Sequence, residues 1–296
     1  MSNVPEQLSR FVPSEQSALG YLFWLSRPRF WLYLAGPVVV ADVYAAETAV
    51  GFFQPLTVAL FLYFLVPANI FLYGVNDIFD ADLDELNPKK AAEGREVRYG
   101  NHRGWHVIAP VAGAAALALV FVPLLSNRAL VPLAGFLILG AAYSVPPFRL
   151  KTTPLLDSLS NGLYILPGVV TYTAIAGGYP PLAAVAGGWV WAMGMHTFSA
   201  IPDIDPDRRA GVQTTATLLG ESRTLAYCAG CWLLAAALMG LVHPALAAVF
   251  AVYPVFVGVV VLADIDIDRA YWWFPVLNTV AGAVLTMLGI WEVQYG

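Results

Sequence analysis

Long apolar runs recur along this chain, and polar residues gather in the breaks between them. Nine runs of about 17–25 residues stand out, near 30–46, 55–77, 105–125, 129–145, 155–177, 181–201, 222–242, 244–263 and 271–293. Each is long enough for a helix crossing a bilayer. None shows the ten-residue alternation of a membrane barrel strand. The pattern predicts an all-α polytopic membrane protein with nine transmembrane helices, because a helix satisfies its own backbone in lipid. A short N-terminal segment, 1–29, precedes a single membrane domain over 30–296.

The connections differ by parity. Those after the first, third, fifth and seventh runs are short and nearly uncharged. Those after the even runs hold most of the ionisable residues. Of the 15 Lys and Arg, only Arg128 falls on the odd side. Such asymmetry places the N-terminus and the even loops in the cytoplasm and the C-terminus outside. Trp24, Trp31, Trp105, Trp272 and Trp273 fall near run ends, where interfacial anchoring is the default.

Composition agrees. Apolar residues make up 59% of the 296 residues and charged residues 12%, against roughly 25% charged in soluble domains. Mean hydropathy is +0.67. The formal net charge of −5 and the lack of a basic face argue against nucleic acid as a partner. Cys228 and Cys231 lie in an apolar run with no second pair, so they are read as small residues facing lipid or a neighbouring helix.

The charged loops carry the chemistry. Asn76, Asp80 and Asp84 recur at i, i+4 and i+8, so they share a helical face with Asp77 beside them. Asn69 and Tyr73 extend that stripe into the membrane. After the sixth run, Asp203 and Asp207 repeat the i, i+4 spacing, with Pro206 between them and Arg208 following. Carboxylates crowded at a membrane surface repel one another unless cations or water intervene. Two facing groups suit hard divalent cations such as Mg²⁺, which share carboxylates with substrate phosphate. Between them lies Tyr143-Ser-Val-Pro-Pro-Phe-Arg149-Leu-Lys151, whose cations suit an anionic leaving group. Thr153-Pro154 reads as a helix cap with proline in the first turn. The fifth run then presents Asp157, Asn161 and Tyr164 as a polar stripe facing an internal cavity. His196 lies two turns before Asp203 on the same face.

These motifs, together with Arg27-Pro-Arg-Phe30 and the segment Arg208-Arg-Ala-Gly-Val-Gln-Thr-Thr-Ala-Thr-Leu-Leu-Gly220, resemble the UbiA superfamily of intramembrane prenyltransferases. The resemblance runs from about residue 20 to 293. It implies helices around a central cavity, capped on the cytoplasmic side by loops 2–3 and 6–7. It implies two Mg²⁺ ions held by Asn76, Asp80, Asp84, Asp203 and Asp207, with Asp77 also counted among the metal residues. It also implies diphosphate contacts from Lys151, Arg149, Tyr143 and Arg208. The catalytic set is then Asp80, Asp84, Asp203, Asp207 and Lys151. Asn69, Tyr73, Asp157, Asn161, Tyr164, His196 and Phe198 would line the cavity. Asn87-Pro-Lys-Lys-Ala-Ala-Glu-Gly-Arg95 looks more like the branch of the family that extends lycopene than like members that prenylate aromatic rings.

The implied reaction moves a prenyl group, dimethylallyl in that branch, from its diphosphate to a lipophilic acceptor in the cell membrane. The resulting cation loses a proton or captures water. Two alternatives stay open from sequence. The same chemistry could serve a quinone precursor, a chlorophyll-type or a glyceryl ether lipid acceptor. A membrane transporter is the different-class reading, although transporters place their ionisable groups near the bilayer midplane.

Overall fold

The computed structural model describes residues 17–84 and 104–296, with side chains for 17–79 and 104–296. No strand occurs among the described residues, and each predicted apolar run is helical. A short helix α1 (Ala18–Leu25) precedes the first run, α2 (Trp31–Ala45). The second run divides into α3 (Pro55–Leu65) and α4 (Pro67–Asp84). Then come α5 (Trp105–Leu117) and α6 (Asn127–Ser144). The fifth run is α7 (Leu156–Ser160), a 3-10 stretch (Asn161–Ile165) and α8 (Leu166–Ala176). The sixth is α9 (Leu182–Ser199). Two short helices, α10 (Ile204–Arg209) and α11 (Thr215–Leu219), lead into α12 (Glu221–Gly240). The chain closes with α13 (Pro244–Phe250), α14 (Val252–Leu262) and α15 (Ile267–Tyr295).

Among the described residues, five of these helical segments are long and apolar enough to cross a membrane by themselves. The outward face of the bundle is greasy: Leu182, Leu241, Leu262 and Trp291 are exposed. An apolar surface of this extent fits lipid rather than water.

The break between α3 and α4 explains Asn69. Pro67 has no N–H and interrupts the helical ladder. The Asn69 amide, wholly buried, donates to the carbonyls of Phe64 at 2.9 Å and Leu65 at 3.0 Å. Asn69 was expected to line the cavity; its amide nitrogen instead mends the proline break, and it lies outside the cavity lining.

Helix α2 packs against α3, α8 and α15, and α9 packs against α12, so the chain closes on itself around an interior space. Two glycines permit this closeness. A Cβ on Gly168 of α8 would stand 2.9 Å from the Pro37 carbonyl of α2. One on Gly162 would stand 1.9 Å from the Trp189 ring. Phe198 was also expected in the cavity. Its ring lies instead among Trp232, Phe256 and Phe274, 4.9 Å from the Phe274 centroid, where burial in an aromatic cluster holds α9 to α12, α14 and α15. At the sparsely charged end, Arg128 donates to the Gly177 carbonyl at 3.2 Å. Gly177 ends α8 at φ 71, a left-handed cap that glycine adopts without strain.

Candidate active site

At the charged end of the bundle, a cavity of about 310 Å³ opens between α2, α4, α6, α9 and α10. Helix α4 supplies Tyr73 and Asn76 to its wall. From Ser144 the chain turns through Pro146 and Pro147, joined by a cis bond, to Arg149. Arg149 takes a left-handed conformation (φ 39) that launches the short turn carrying Lys151. Lys151 Nζ then donates to Asn76 Oδ1 at 2.9 Å, and Ser144 Oγ donates to the same oxygen at 2.9 Å. Arg149 Nη2 donates to the Phe79 carbonyl at 2.9 Å, docking this turn onto α4. Arg149 does not itself line the cavity.

The opposite wall carries the second acidic motif. A 3-10 turn over Ile201–Asp203 leads into α10, and Pro206 fits within its first turn because the N–H it lacks would have no intrahelical partner there. Asp203 and Asp207 both face the cavity, whereas Asp205 is exposed. Arg208 turns the other way. Its Nε and Nη2 donate to the Thr217 carbonyl at 3.2 and 2.8 Å, so it ties α10 to α11 and lies outside the cavity lining.

Asp157 likewise serves α11. Its carboxylate accepts from the Thr215 backbone N–H at 2.8 Å and from the Thr215 hydroxyl. The Leu155 N–H donates to that hydroxyl oxygen at 2.7 Å. Leu155, with φ 70, occupies the cap position predicted for Thr153. The 3-10 stretch beginning at Asn161 shifts the helical register. Asp157 therefore points to α11, while Asn161 and Tyr164 reach the cavity.

His196 and Tyr143 meet across the cavity, with Tyr143 Oη and His196 Nε2 3.1 Å apart. Asp77 pairs with Arg27 at 3.2 Å instead of facing the cavity lining. The Arg27 guanidinium lies over the Tyr73 ring, 4.6 Å from its centroid. Arg27, Phe30, Tyr33 and Tyr271 line the cavity although no role was read for them. For Arg27 and Phe30 the signal was present in Arg27-Pro-Arg-Phe30. Tyr33 and Tyr271 gave no more than an aromatic in an apolar run.

One cavity thus joins two carboxylates, an amide oxygen and the cations of Arg27 and Lys151. Asp203, Asp207 and the Asn76 amide are hard oxygen donors of the kind Mg²⁺ and Ca²⁺ take. Among the described residues no three acidic, His or Cys side chains converge by themselves. Asp80 and Asp84 follow Asn76 on α4 at helical spacing, and their side chains lie outside the described residues.

A second cavity of about 670 Å³ lies beyond the first and is overwhelmingly apolar. Its order along each helix fixes their relation. On α9, Ser199 and His196 line the polar cavity, and Trp191, Gly188 and Ala184 line the apolar one. On α15 the polar cavity has Tyr271 and the apolar one Asn278 and Ala281. The two cavities are stacked along the bundle, and Tyr33 lines both.

An intramembrane helical bundle with paired acidic motifs at one end of a greasy interior defines a class of lipid-modifying enzyme. The chain belongs to the UbiA prenyltransferase family, whose sequence model matches residues 34–290. It is a prenyltransferase and a multi-pass membrane protein. It is 55% identical over 291 residues to a lycopene elongase/hydratase of Haloarcula japonica, covering 98% of both chains. It is 57% identical over 279 residues to a lycopene elongase/hydratase of Haloferax volcanii, covering 94% of this chain and 91% of that one. The fold matches a UbiA homolog from Archaeoglobus fulgidus bound to DMAPP and Mg²⁺, with TM-score 0.68 and 18% identity over 91% of this chain and 98% of the other.

Proposed function

We propose that this protein transfers a dimethylallyl group from its diphosphate to the terminal double bond of lycopene, and that water then captures the resulting cation. The reading rests on the stacking of a polar, carboxylate-bearing cavity upon a long apolar one that could take a polyene end. The relatives named lycopene elongase/hydratase support the acceptor.

Nine membrane spans are inferred, with the N-terminus and the even loops in the cytoplasm and a cap made by loops 2–3 and 6–7. Asn76, Asp80, Asp84, Asp203 and Asp207 would hold two Mg²⁺ ions, whose charge offsets that developing on the departing diphosphate. Lys151 Nζ and Ser144 Oγ both donate to Asn76 Oδ1, so a Mg²⁺ at that oxygen would release Lys151, which faces the cavity, to donate to a diphosphate oxygen. Tyr143, held by His196, would add a neutral donor. Preorganised donors of this kind act strongly where water is excluded.

Tyr73, Tyr164, Phe30 and Tyr33 form a run of aromatic faces leading inward; Tyr33 and Tyr164 meet edge to face at 6.2 Å. Such faces stabilise a nearby cation by about 0.5–2 kcal/mol each. They suit an allyl cation leaving the diphosphate. An alkene acceptor needs no base to activate it, which fits a deep cavity lined by aromatic and alkyl groups.

The test is product identity. Purified protein in lipid, given labelled dimethylallyl diphosphate, Mg²⁺ and lycopene, should yield a carotenoid heavier by one or two five-carbon units. Label appearing only on a phenolic or glyceryl ether acceptor offered in parallel would reject lycopene. Substrate flux across vesicles without any new product would reject group transfer.

A further inference from the structure

We propose that Asn278, together with Tyr33, holds the water that captures the carotenoid cation; this deepens the lycopene reading above and rests on it. The apolar cavity is lined almost entirely by alkyl and aromatic groups, and Asn278 is the one side-chain amide among its lining residues. Thr279 and Thr286 also line it, but their hydroxyls donate to the Pro275 and Gly282 carbonyls of their own helix, at 2.9 and 2.8 Å. Asn278 is not spent this way. Its amide oxygen and nitrogen are both buried, and neither makes a well-formed hydrogen bond; the polar group near it is the Tyr33 hydroxyl. Buried amides are almost always satisfied by protein, water or ligand. Leaving one bare costs roughly 1–3 kcal/mol. A buried amide without a well-formed hydrogen bond, in a cavity otherwise built for hydrocarbon, points to a small polar guest.

Its position suits the chemistry. Asn278 lies two turns along α15 from Tyr271, which lines the polar cavity. Seven residues of helix span about 10 Å, so the amide sits well below the diphosphate end. Its neighbour there is the Tyr33 hydroxyl. Tyr33 alone among the lining residues belongs to both cavities. A water held between the amide and the phenol would stand beside the carbon chain and still adjoin the polar chamber.

The bond changes balance. The terminal alkene of lycopene attacks the allyl carbon, forming a C–C bond and leaving a tertiary carbocation one carbon away. The water oxygen bonds to that carbocation. One O–H bond breaks, and its proton leaves past the Tyr33 hydroxyl to the released diphosphate. The product is a tertiary alcohol. Without an oriented water, the same cation sheds a proton from an adjacent carbon and gives an alkene. Asn278 thus sets the outcome after coupling, and it is a positioning residue for the nucleophile.

The test reads the ratio of alcohol to alkene in the elongated carotenoid by mass spectrometry, in H₂¹⁸O, with the full-length protein in lipid. Asn278→Leu should lower that ratio at least tenfold. Asn278→Asp, with the same shape and two acceptor oxygens, should keep ¹⁸O incorporation. Tyr33→Phe should also favour the alkene. A wild-type ratio in Asn278→Leu would overturn the proposal. So would the loss of all elongated product in both Asn278 variants, which would make the residue a packing element. Wild-type protein that releases diphosphate but never modifies lycopene would instead overturn the functional reading.

Discussion

Lys151 Nζ lies 2.9 Å from Asn76 Oδ1, joining the loop after the fourth apolar run to the first acidic motif. The two residues are 75 positions apart in sequence. The contact holds a cation in the wall of the same cavity that receives Asp203 and Asp207. Lys151→Met should therefore lower the rate of prenyl transfer by about 10²–10³-fold, the usual loss when a preorganised donor to developing charge is removed. Initial rates in reconstituted membranes measure this. A loss under threefold would place Lys151 outside the reacting site.

Arg27 and Asp77 form a linked pair, with Arg27 also stacked on Tyr73. Because they share one interaction, their effects should not add. A double-mutant cycle with Arg27→Gln and Asp77→Asn, read as donor KM, should show a coupling of about 0.5–3 kcal/mol. Independent effects would mean that the pair does not shape the cavity.

Asp157, on α7, braces α11 rather than lining the polar cavity. Its contacts with Thr215 hold that short helix, and α11 in turn receives Arg208 from the acidic α10. Asp157→Ala leaves the buried Thr215 N–H without its partner and should destabilise the fold by about 1–3 kcal/mol. Thermal unfolding in detergent checks the loss. Asp157→Asn should recover part of it, because the amide oxygen can still accept.

Gly162→Ala should be costlier than its size suggests, since the new methyl would meet the Trp189 ring. Overpacking of this kind typically costs about 1–3 kcal/mol. The same change at Gly113, whose Cβ would meet nothing nearby, should be neutral or slightly stabilising in the same melting assay.

Much of this arrangement was legible from residue order. The apolar runs predicted the helices because a bilayer-length greasy stretch has few alternatives. The i, i+4 spacing of Asp203 and Asp207 predicted that both would face one cavity, and Pro206 did not disturb it because it falls in the first turn of α10. Spacing failed where the helix is irregular. Asp157, Asn161 and Tyr164 fit a single stripe only on an unbroken α-helix, and the 3-10 stretch separates Asp157 from the other two. Asn69 departs from the polar stripe because, beside the break at Pro67, its amide donates to the Phe64 and Leu65 carbonyls. Arg149 and Arg208 carry the expected charge at the expected end, yet each guanidinium donates to a backbone carbonyl of a neighbouring helix. Which cation faces a substrate and which braces the scaffold depends on loop geometry that residue order does not encode. Tyr33 and Asn278 were not legible at all, since their significance comes from two cavities meeting.

The central claim is that the two acidic motifs act together on a metal-bound diphosphate. The most direct measurement is Mg²⁺-dependent release of diphosphate from dimethylallyl diphosphate in the presence of lycopene, comparing wild-type protein with Asp207→Asn of equal fold and membrane content. The account predicts at least a hundredfold fall in the rate, with no recovery at saturating Mg²⁺. Release at the wild-type rate, with an unchanged Mg²⁺ dependence, would contradict it.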